Sequence, residues 1–146
     1  MSQSVPAIVG FEDLQAWVSV YVKDLKAGDC VCLIGPLGTG KTTLTRVLVT
    51  ELGLDDQSGF GSPTFSVMNI YDARALYLRH LDLYRLESFA SFEDLDLINE
   101  LKSPDGISFV EWGDKFPELK KYFTHFIRLD FVPESADERF IHTWSA

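Results

Sequence analysis

The sequence predicts an α/β fold built on a mixed, mostly parallel sheet that is flanked by helices and carries an antiparallel flank. One apolar run, residues 30–34, is continuous rather than alternating, which is typical of a parallel strand buried on both faces. Helical spacing of apolar residues comes before and after this run. Two further strand-like runs, 64–71 and 75–82, are separated by a short turn and predict an antiparallel pair. Helices alternating with strands in this way favour the α/β class.

The first elements follow from spacing and from glycines. Residues 11–27 place their apolar side chains on one face of a helix, and Gly28 is predicted to end that helix in a left-handed conformation. The strand 30–34 comes next. It leads through a glycine-rich segment into a second helix, which Gly53 closes. Residues 54–62 are polar and glycine-containing, which indicates a loop.

The second half of the chain predicts one longer helix and several strands. A helix is expected over 91–101, with Ser91 and Asp94 as a capping pair at its start. The turn of the preceding hairpin is expected at 72–74. The remaining predicted elements are a strand at 107–110, a short helix at 117–123 and two closing strands at 124–132 and 138–144.

Composition narrows the functional classes. The 146 residues are predicted to form one domain, 1–146. With 13 Lys and Arg against 22 Asp and Glu, the net charge is −9, so direct binding of a tRNA or another polynucleotide is not expected. Residues 1–22 contain no Lys or Arg, and no apolar run approaches the roughly 20 residues of a membrane span, so a cytoplasmic protein is expected. Cys30 and Cys32 are expected to be buried, reduced thiols.

One motif carries the chemistry. Residues 35–42 match G-x-x-x-x-G-K-[ST] at every position, between a predicted buried strand and a predicted helix. Successive backbone N–H groups and the helix N-terminus favour phosphate there. The motif therefore predicts a P-loop NTPase-like fold. Its expected nucleotide-binding residues are Gly35, Gly38, Thr39, Gly40, Lys41, Thr42 and Thr43. Lys41 would reach the β- and γ-phosphates and Thr42 would place its hydroxyl on Mg²⁺, whereas Thr43 is either an α-phosphate contact or an ordinary first-turn threonine.

Such a site needs an acid near the magnesium ion, and two strand ends offer one. Glu111 follows the strand 107–110, and Asp82 ends the strand that begins at residue 75. Each can bind Mg²⁺ through water or orient an attacking water. Beside Glu111, Trp112 is open to three interpretations: a contact of the nucleotide, a partner surface or a core residue.

The segment 61–65 joins the polar loop to a strand. Ser62 and Thr64 are candidate switch-like residues, because a hydroxyl after such a loop can sense the γ-phosphate and Mg²⁺. A plain loop-to-strand junction explains the same residues equally well.

Four elements together resemble one family. Gly35–Thr43, Ser62-Pro63-Thr64-Phe65, His80-Leu81-Asp82-Leu83-Tyr84-Arg85 and Glu111-Trp112 occur in an order and at separations that are similar to the TsaE family, the small ATPases of bacterial tRNA threonylcarbamoyladenosine synthesis. The phosphate loop is shared with many families, whereas H-x-D-x-Y-R with a later Glu-Trp is much more specific.

The resemblance implies Mg²⁺-dependent ATP binding, slow hydrolysis by the isolated chain, and work in an assembly with the proteins TsaD and TsaB. It implies that Asp82 is the catalytic or water-positioning acid and that Glu111 is an acid on the Mg²⁺ side. Lys41 and Thr42 become phosphate and Mg²⁺ contacts, and Trp112 a functional aromatic residue.

Three alternatives remain beside this one. A small-molecule P-loop kinase would need an acceptor pocket and an Arg-rich lid, for which the chain leaves little length. A GTPase is disfavoured because no N-K-x-D motif is present. An ATP-gated interaction module with incidental hydrolysis is compatible with every feature of the sequence.

Overall fold

The structure, a computed structural model, describes residues 6–54, 67–73 and 76–146. These residues form a seven-stranded sheet with the order β1-β7-β6-β2-β5-β4-β3. The strands are β1 (Ala7–Gly10), β2 (Cys30–Ile34), β3 (Met68–Ala73), β4 (Leu76–Asp82), β5 (Gly106–Glu111), β6 (His125–Phe131) and β7 (Glu138–Ser145).

The centre of the sheet is parallel, which confirms the predicted fold class. β2 pairs in parallel with both β5 and β6, and β5 pairs in parallel with β4. Antiparallel pairs lie on both sides of this centre, with β3 on β4 at one edge and β6, β7 and β1 at the other. The edge strand β1 was not predicted, because its four residues are too short to show a period and its partner, β7, is at the far end of the chain.

β2 separates two apolar clusters. Val31 and Leu33 pack on the face that also receives Leu44 and Leu48, whereas Cys30 and Cys32 face the opposite cluster. These four residues of β2 are buried, and the fifth, Ile34, is partly buried. The continuous apolar run of the sequence therefore reflects burial on both faces, as predicted.

Two helices cover one face. These are α1 (Leu14–Tyr21), extended by 3₁₀ turns at Phe11–Asp13 and Val22–Asp24, and α2 (Lys41–Glu51). The first helical segment ends before the predicted boundary: Leu25 is already extended, and Gly28 takes its φ of 96° in the turn before β2 rather than as a C-cap. Gly53, with φ 116°, follows α2 as predicted.

The predicted helix 91–101 is wrong as a single element. The chain forms α3 (Phe89–Asp94) and α4 (Leu97–Leu101), and Asp96, with φ 56°, breaks them apart. The cap was also misplaced, since Ser88 accepts a hydrogen bond from the Ser91 N–H at 3.2 Å. Asp72 and Ala73, assigned to a turn from the sequence, belong to β3. The predicted short helix is a 3₁₀ helix, Pro117–Tyr122.

Among the described residues, no helix combines the length and apolarity needed to cross a membrane.

The parallel centre brings the predicted site together. β2, β4 and β5 end on the same side of the sheet, because parallel strands share a direction. Asp82 and Glu111 are register partners across β4 and β5, and Leu33, two residues before the P-loop, is the partner of Glu111 on β2. Two acids and the phosphate loop thus meet at the carboxyl ends of these central strands.

We expect both cysteines to be inert in the native protein. Cys30 and Cys32 are free and buried, and burial together with the nearby Asp29 carboxylate raises the pKa of Cys30 to about 12. Burial also raises the pKa of Cys32. Because the thiolate is the reactive form, an aromatic disulfide reagent at pH 8 should label neither thiol in the folded protein and both in denaturant. Rapid labelling without denaturant would contradict this burial.

Candidate nucleotide site

The P-loop curls tightly at two of its glycines. Gly40 has φ 101° and immediately precedes α2, so the first N–H groups of that helix point to the loop. A side chain at Gly35 would place Cβ 2.4 Å from the Leu129 carbonyl oxygen, so only glycine permits this approach to β6. Thr39 is buried, and its hydroxyl donates to the Pro36 carbonyl at 2.8 Å.

The Lys41 ammonium lies inside the loop. Nζ donates to the carbonyl oxygens of Gly35 at 2.7 Å and Pro36 at 2.9 Å, and it lies 4.3 Å from the centre of the Trp112 ring. Burial lowers the pKa of Lys41, while the carboxylates of Glu111, Asp114 and Asp82 oppose that shift. An ammonium inside the loop can form charge-assisted hydrogen bonds with phosphate oxygens.

Glu111 connects the P-loop helix to the sheet. The Thr42 hydroxyl lies 3.0 Å from Oε1 and 2.9 Å from Oε2 of Glu111. On the other side, Nε2 of the fully buried His80 contacts Glu111 Oε2. The carboxylate is only 3% exposed, so its orientation is set from both sides.

Asp82 lies beside Glu111, at the end of the neighbouring strand β4, but its side chain is more accessible to solvent. Its Oδ1 accepts the Tyr84 backbone N–H at 3.0 Å, which turns the chain after β4. The Tyr84 ring packs 5.1 Å from the Trp112 ring, centre to centre. Trp112 itself takes φ 62°, a left-handed conformation that is unusual for a bulky residue and that directs its ring over Lys41.

Most of the predicted site residues line one cleft of about 390 Å³. Its walls are Leu37, Gly38, Gly40, Lys41, Thr42, Thr43, Asp82, Tyr84, Glu111 and Trp112. Gly35 and Thr39 shape the loop from behind, as described above. The switch-like candidates Ser62 and Thr64 lie outside the described residues. Trp112 thus lies beside the P-loop, although it also packs against the apolar cluster of Cys30 and Cys32.

A second cleft, of about 260 Å³, opens on the other side of the P-loop. It is lined by Val9, Gly10, Phe11, Leu14, Gly38, Thr39, Gly40, Thr43, Leu44, Leu129, Ala136, Asp137, Arg139 and Ile141. Its walls are mainly apolar, and one basic side chain, Arg139, reaches the P-loop by donating from Nε to the Thr39 carbonyl at 3.0 Å.

Sequence reasoning missed three features of this edge. Tyr84 was visible in H-x-D-x-Y-R but was given no role. The Nε2 atom of His80 contacts Glu111, a partner that the H-x-D spacing does not reveal. Arg139 fits a late basic position of the family that the sequence resembles, but its contact with Thr39 spans 100 residues of sequence and leaves no local signal.

The donor set fits Mg²⁺ and a nucleotide phosphate chain. A threonine hydroxyl and the carboxylates of Glu111 and Asp82 supply only oxygen ligands, which Mg²⁺ prefers. Within the described part of the chain, no three His, Cys, Asp or Glu side chains form a cluster that holds a metal unaided.

Comparison with known proteins decides the family. A family model described as "Threonylcarbamoyl adenosine biosynthesis protein TsaE" matches residues 10–141. This chain belongs to the TsaE family. The matched range contains all four sequence elements from which the resemblance was inferred, so that inference is confirmed. The TsaE family takes part in the biosynthesis of tRNA threonylcarbamoyladenosine.

Individual relatives agree with this assignment. The TsaE protein of Streptomyces coelicolor is 40% identical over 121 residues, covering 80% of this chain and 78% of the relative. The TsaE protein of Treponema pallidum is 35% identical over 112 residues, covering 76% and 80%. The crystal structure of Bacillus subtilis YdiB superposes with a TM-score of 0.64 and 25% identity, covering 99% of this chain and 87% of YdiB. The described part of this chain therefore shares its fold with YdiB.

Proposed function

We propose that this TsaE-family chain is a slow, Mg²⁺-dependent ATPase that acts with TsaD and TsaB in the N6-threonylcarbamoylation of tRNA adenosine. The observation that carries the proposal is the contact between the Thr42 hydroxyl and the Glu111 carboxylate, 2.9–3.0 Å apart, directly beside Lys41. A P-loop threonine facing a strand-end acid is the arrangement that holds magnesium in P-loop NTPases.

The phosphate chain is bound by the loop that ends at Gly40. Backbone N–H groups at the start of α2 supply hydrogen bonds and positive potential, and Lys41 supplies the mobile cation. The ammonium of Lys41 exchanges its two carbonyl partners for phosphate oxygens, which are stronger acceptors because they are charged.

Thr42 and Glu111 would hold Mg²⁺. When bound, the ion neutralises charge that develops on the phosphate oxygens. His80 keeps the Glu111 carboxylate turned toward Thr42. Asp82, the more accessible acid, accepts a hydrogen bond from the attacking water and orients it. Glu111 is almost fully buried and is less able to reach that water.

The nucleoside fits the second cleft. It adjoins Gly38–Gly40 and offers apolar walls from Val9, Leu14 and Ile141 for a planar base. This cleft, of about 260 Å³, lies directly beside the loop that would hold the phosphates of the same nucleotide. The cytoplasmic location stays a prediction; it fits a role in tRNA modification.

The decisive experiment measures phosphate release from ATP by the chain alone, with TsaD, with TsaB and with both. We expect slow turnover alone and stimulation with both proteins, in parallel with formation of the modified adenosine. Modification that requires bound ATP but proceeds with a non-hydrolysable analogue over many cycles would favour the ATP-gated module. Phosphate transfer to a small acceptor would favour the kinase.

ATP is expected to bind at least about tenfold more tightly than GTP. The chain has no N-K-x-D motif to read guanine, and the second cleft is mainly apolar. Competition of ATP, ADP, GTP and GDP against a fluorescent ADP analogue measures the preference. Pairing tri- and diphosphates controls for the phosphate contribution. Equal competition by both bases would contradict the proposed base site.

The isolated chain is expected to show no appreciable affinity for tRNA at physiological salt. Its net charge is −9, and the adjacent pair Lys120-Lys121 is too small to follow a phosphate backbone. Fluorescence titration with labelled tRNA at about 50 and about 200 mM salt checks this, because contacts with phosphates weaken steeply over that range. Submicromolar, salt-sensitive binding would indicate a direct role in holding RNA.

A further inference from the structure

Arg139, on β7, connects the P-loop to the far end of the chain. Its Nε donates to the Thr39 carbonyl at 3.0 Å. Its Nη1 donates to the carbonyl oxygens of Ala136 at 3.0 Å and Glu138 at 2.7 Å. The guanidinium also lies 4.9 Å from the centre of the Phe131 ring. Three carbonyls and one aromatic ring therefore hold this side chain in one orientation.

The contact with Thr39 acts on the peptide between Thr39 and Gly40. A trans peptide is planar, so its carbonyl and its N–H point in opposite directions. Holding the Thr39 carbonyl toward Arg139 turns the Gly40 N–H away from Arg139. Gly40 has φ 101°, a region that glycine enters and leaves easily, so its own backbone does not lock this peptide. The orientation of the Gly40 N–H therefore depends on the partner of the Thr39 carbonyl.

We propose that Arg139 is a positioning residue that aims the Gly40 N–H into the phosphate cradle, through its hydrogen bond to the Thr39 carbonyl. The inference rests on the proposed nucleotide binding of this P-loop. Arg139 touches the loop from the side of the second cleft, whereas Lys41 lies in the first cleft with Thr42 and Glu111. The two basic residues thus have different roles: Lys41 binds phosphate with its charge, and Arg139 prepares the backbone that binds it.

The same side chain joins two walls of the second cleft. Ala136 and Glu138 belong to the connection between β6 and β7 and to the start of β7. That connection also accepts the Phe11 N–H through the Asp137 carbonyl at 2.9 Å. Arg139 therefore ties the P-loop to the segment that borders the second cleft.

Three substitutions of Arg139 distinguish a role of its hydrogen bond to Thr39 from a role of its positive charge. Gln carries its amide nitrogen the same number of bonds from Cα as the Nε of arginine, so Arg139→Gln keeps a neutral donor for Thr39. Arg139→Met has similar length and no donor, and Arg139→Lys keeps the charge but places it one atom further out. The control is Arg128→Met on β6, because Arg128 pairs with Asp130 at 2.9 Å and lines neither of the two clefts.

The measurement is ADP affinity by calorimetry, with thermal unfolding to verify that each variant is folded. We expect Arg139→Met to weaken ADP binding about tenfold, as the loss of a charge-assisted hydrogen bond does. Arg139→Gln should recover affinity to within about threefold of the wild type, and Arg128→Met should bind normally. If Arg139→Met does not fold, the comparison of the Gln and Lys variants decides.

Three results would overturn the inference. They are normal ADP binding by folded Arg139→Met, recovery by Lys but not by Gln, and recovery by neither. Recovery by Lys alone would mean that the guanidinium contacts the nucleotide as an ion. If the wild-type chain binds no ADP, the proposed function fails and this inference with it. If the wild type binds ADP, a negative result for the variants concerns Arg139 alone.

Discussion

Glu111→Gln is expected to remove at least about 99% of ATP hydrolysis while ATP still binds, because loss of an essential acid typically costs a factor of about 100 or more. The substitution preserves the shape of the side chain beside His80 and Thr42, but it removes the negative charge. Turnover with saturating Mg²⁺ and ATP measures the loss. Because the charge would hold the metal, the Mg²⁺ concentration needed for half-maximal turnover should also rise.

Two comparisons make this result specific. Glu118→Gln changes an exposed acid on the 3₁₀ helix and should leave turnover unchanged. Asp82→Asn should likewise spare the fold and abolish hydrolysis, but with a smaller change in Mg²⁺ dependence if Asp82 acts on water. Near-normal turnover in either active-site variant would remove that acid from the proposed mechanism.

Lys41→Ala is expected to weaken ATP binding by an order of magnitude or more, since charge-assisted hydrogen bonds to phosphate are among the strongest in proteins. The substitution removes the ammonium that now lies on the Gly35 and Pro36 carbonyls, and with it the cation inside the loop. Isothermal calorimetry with ATP or ADP measures the change.

Lys41→Met is the second variant. Because Lys41 is only 5% exposed, alanine leaves its buried space empty, whereas methionine fills that space and still removes the charge. Lys120→Ala, at an exposed position of the 3₁₀ helix 117–122, is the matched control and should bind normally. Unchanged ATP affinity in both folded Lys41 variants would contradict binding by this P-loop.

The features most visible in the sequence are those set by residues close together in the chain. The strand 30–34 and the P-loop have the predicted bounds, since each depends on consecutive residues: a continuous apolar run, and glycines followed by Lys41. The strand-end acids were also visible, because Asp82 and Glu111 each lie at the end of a predicted strand. Even the family was inferable, since its four elements are short motifs at fitting separations.

Features that depend on contacts between distant segments were missed. β1 is four residues long and gains its hydrogen bonds from β7, more than 120 residues later along the chain. The break at Asp96 is set by how α3 and α4 pack with Phe92 and Leu97 against the sheet, so the helical spacing across 91–101 did not reveal it.

The sequence by itself determined which residues are candidates for binding phosphate and magnesium, because residue type and local spacing decide that chemistry. Only the tertiary structure decided how they act together. Parallel pairing of β4 and β5 sets Asp82 beside Glu111, and folding of β7 brings Arg139 to Thr39 across 100 residues. Register and long-range contacts depend on the free energy of the whole packed sheet. A local sequence pattern does not contain that free energy, because it arises from residues far apart in the chain.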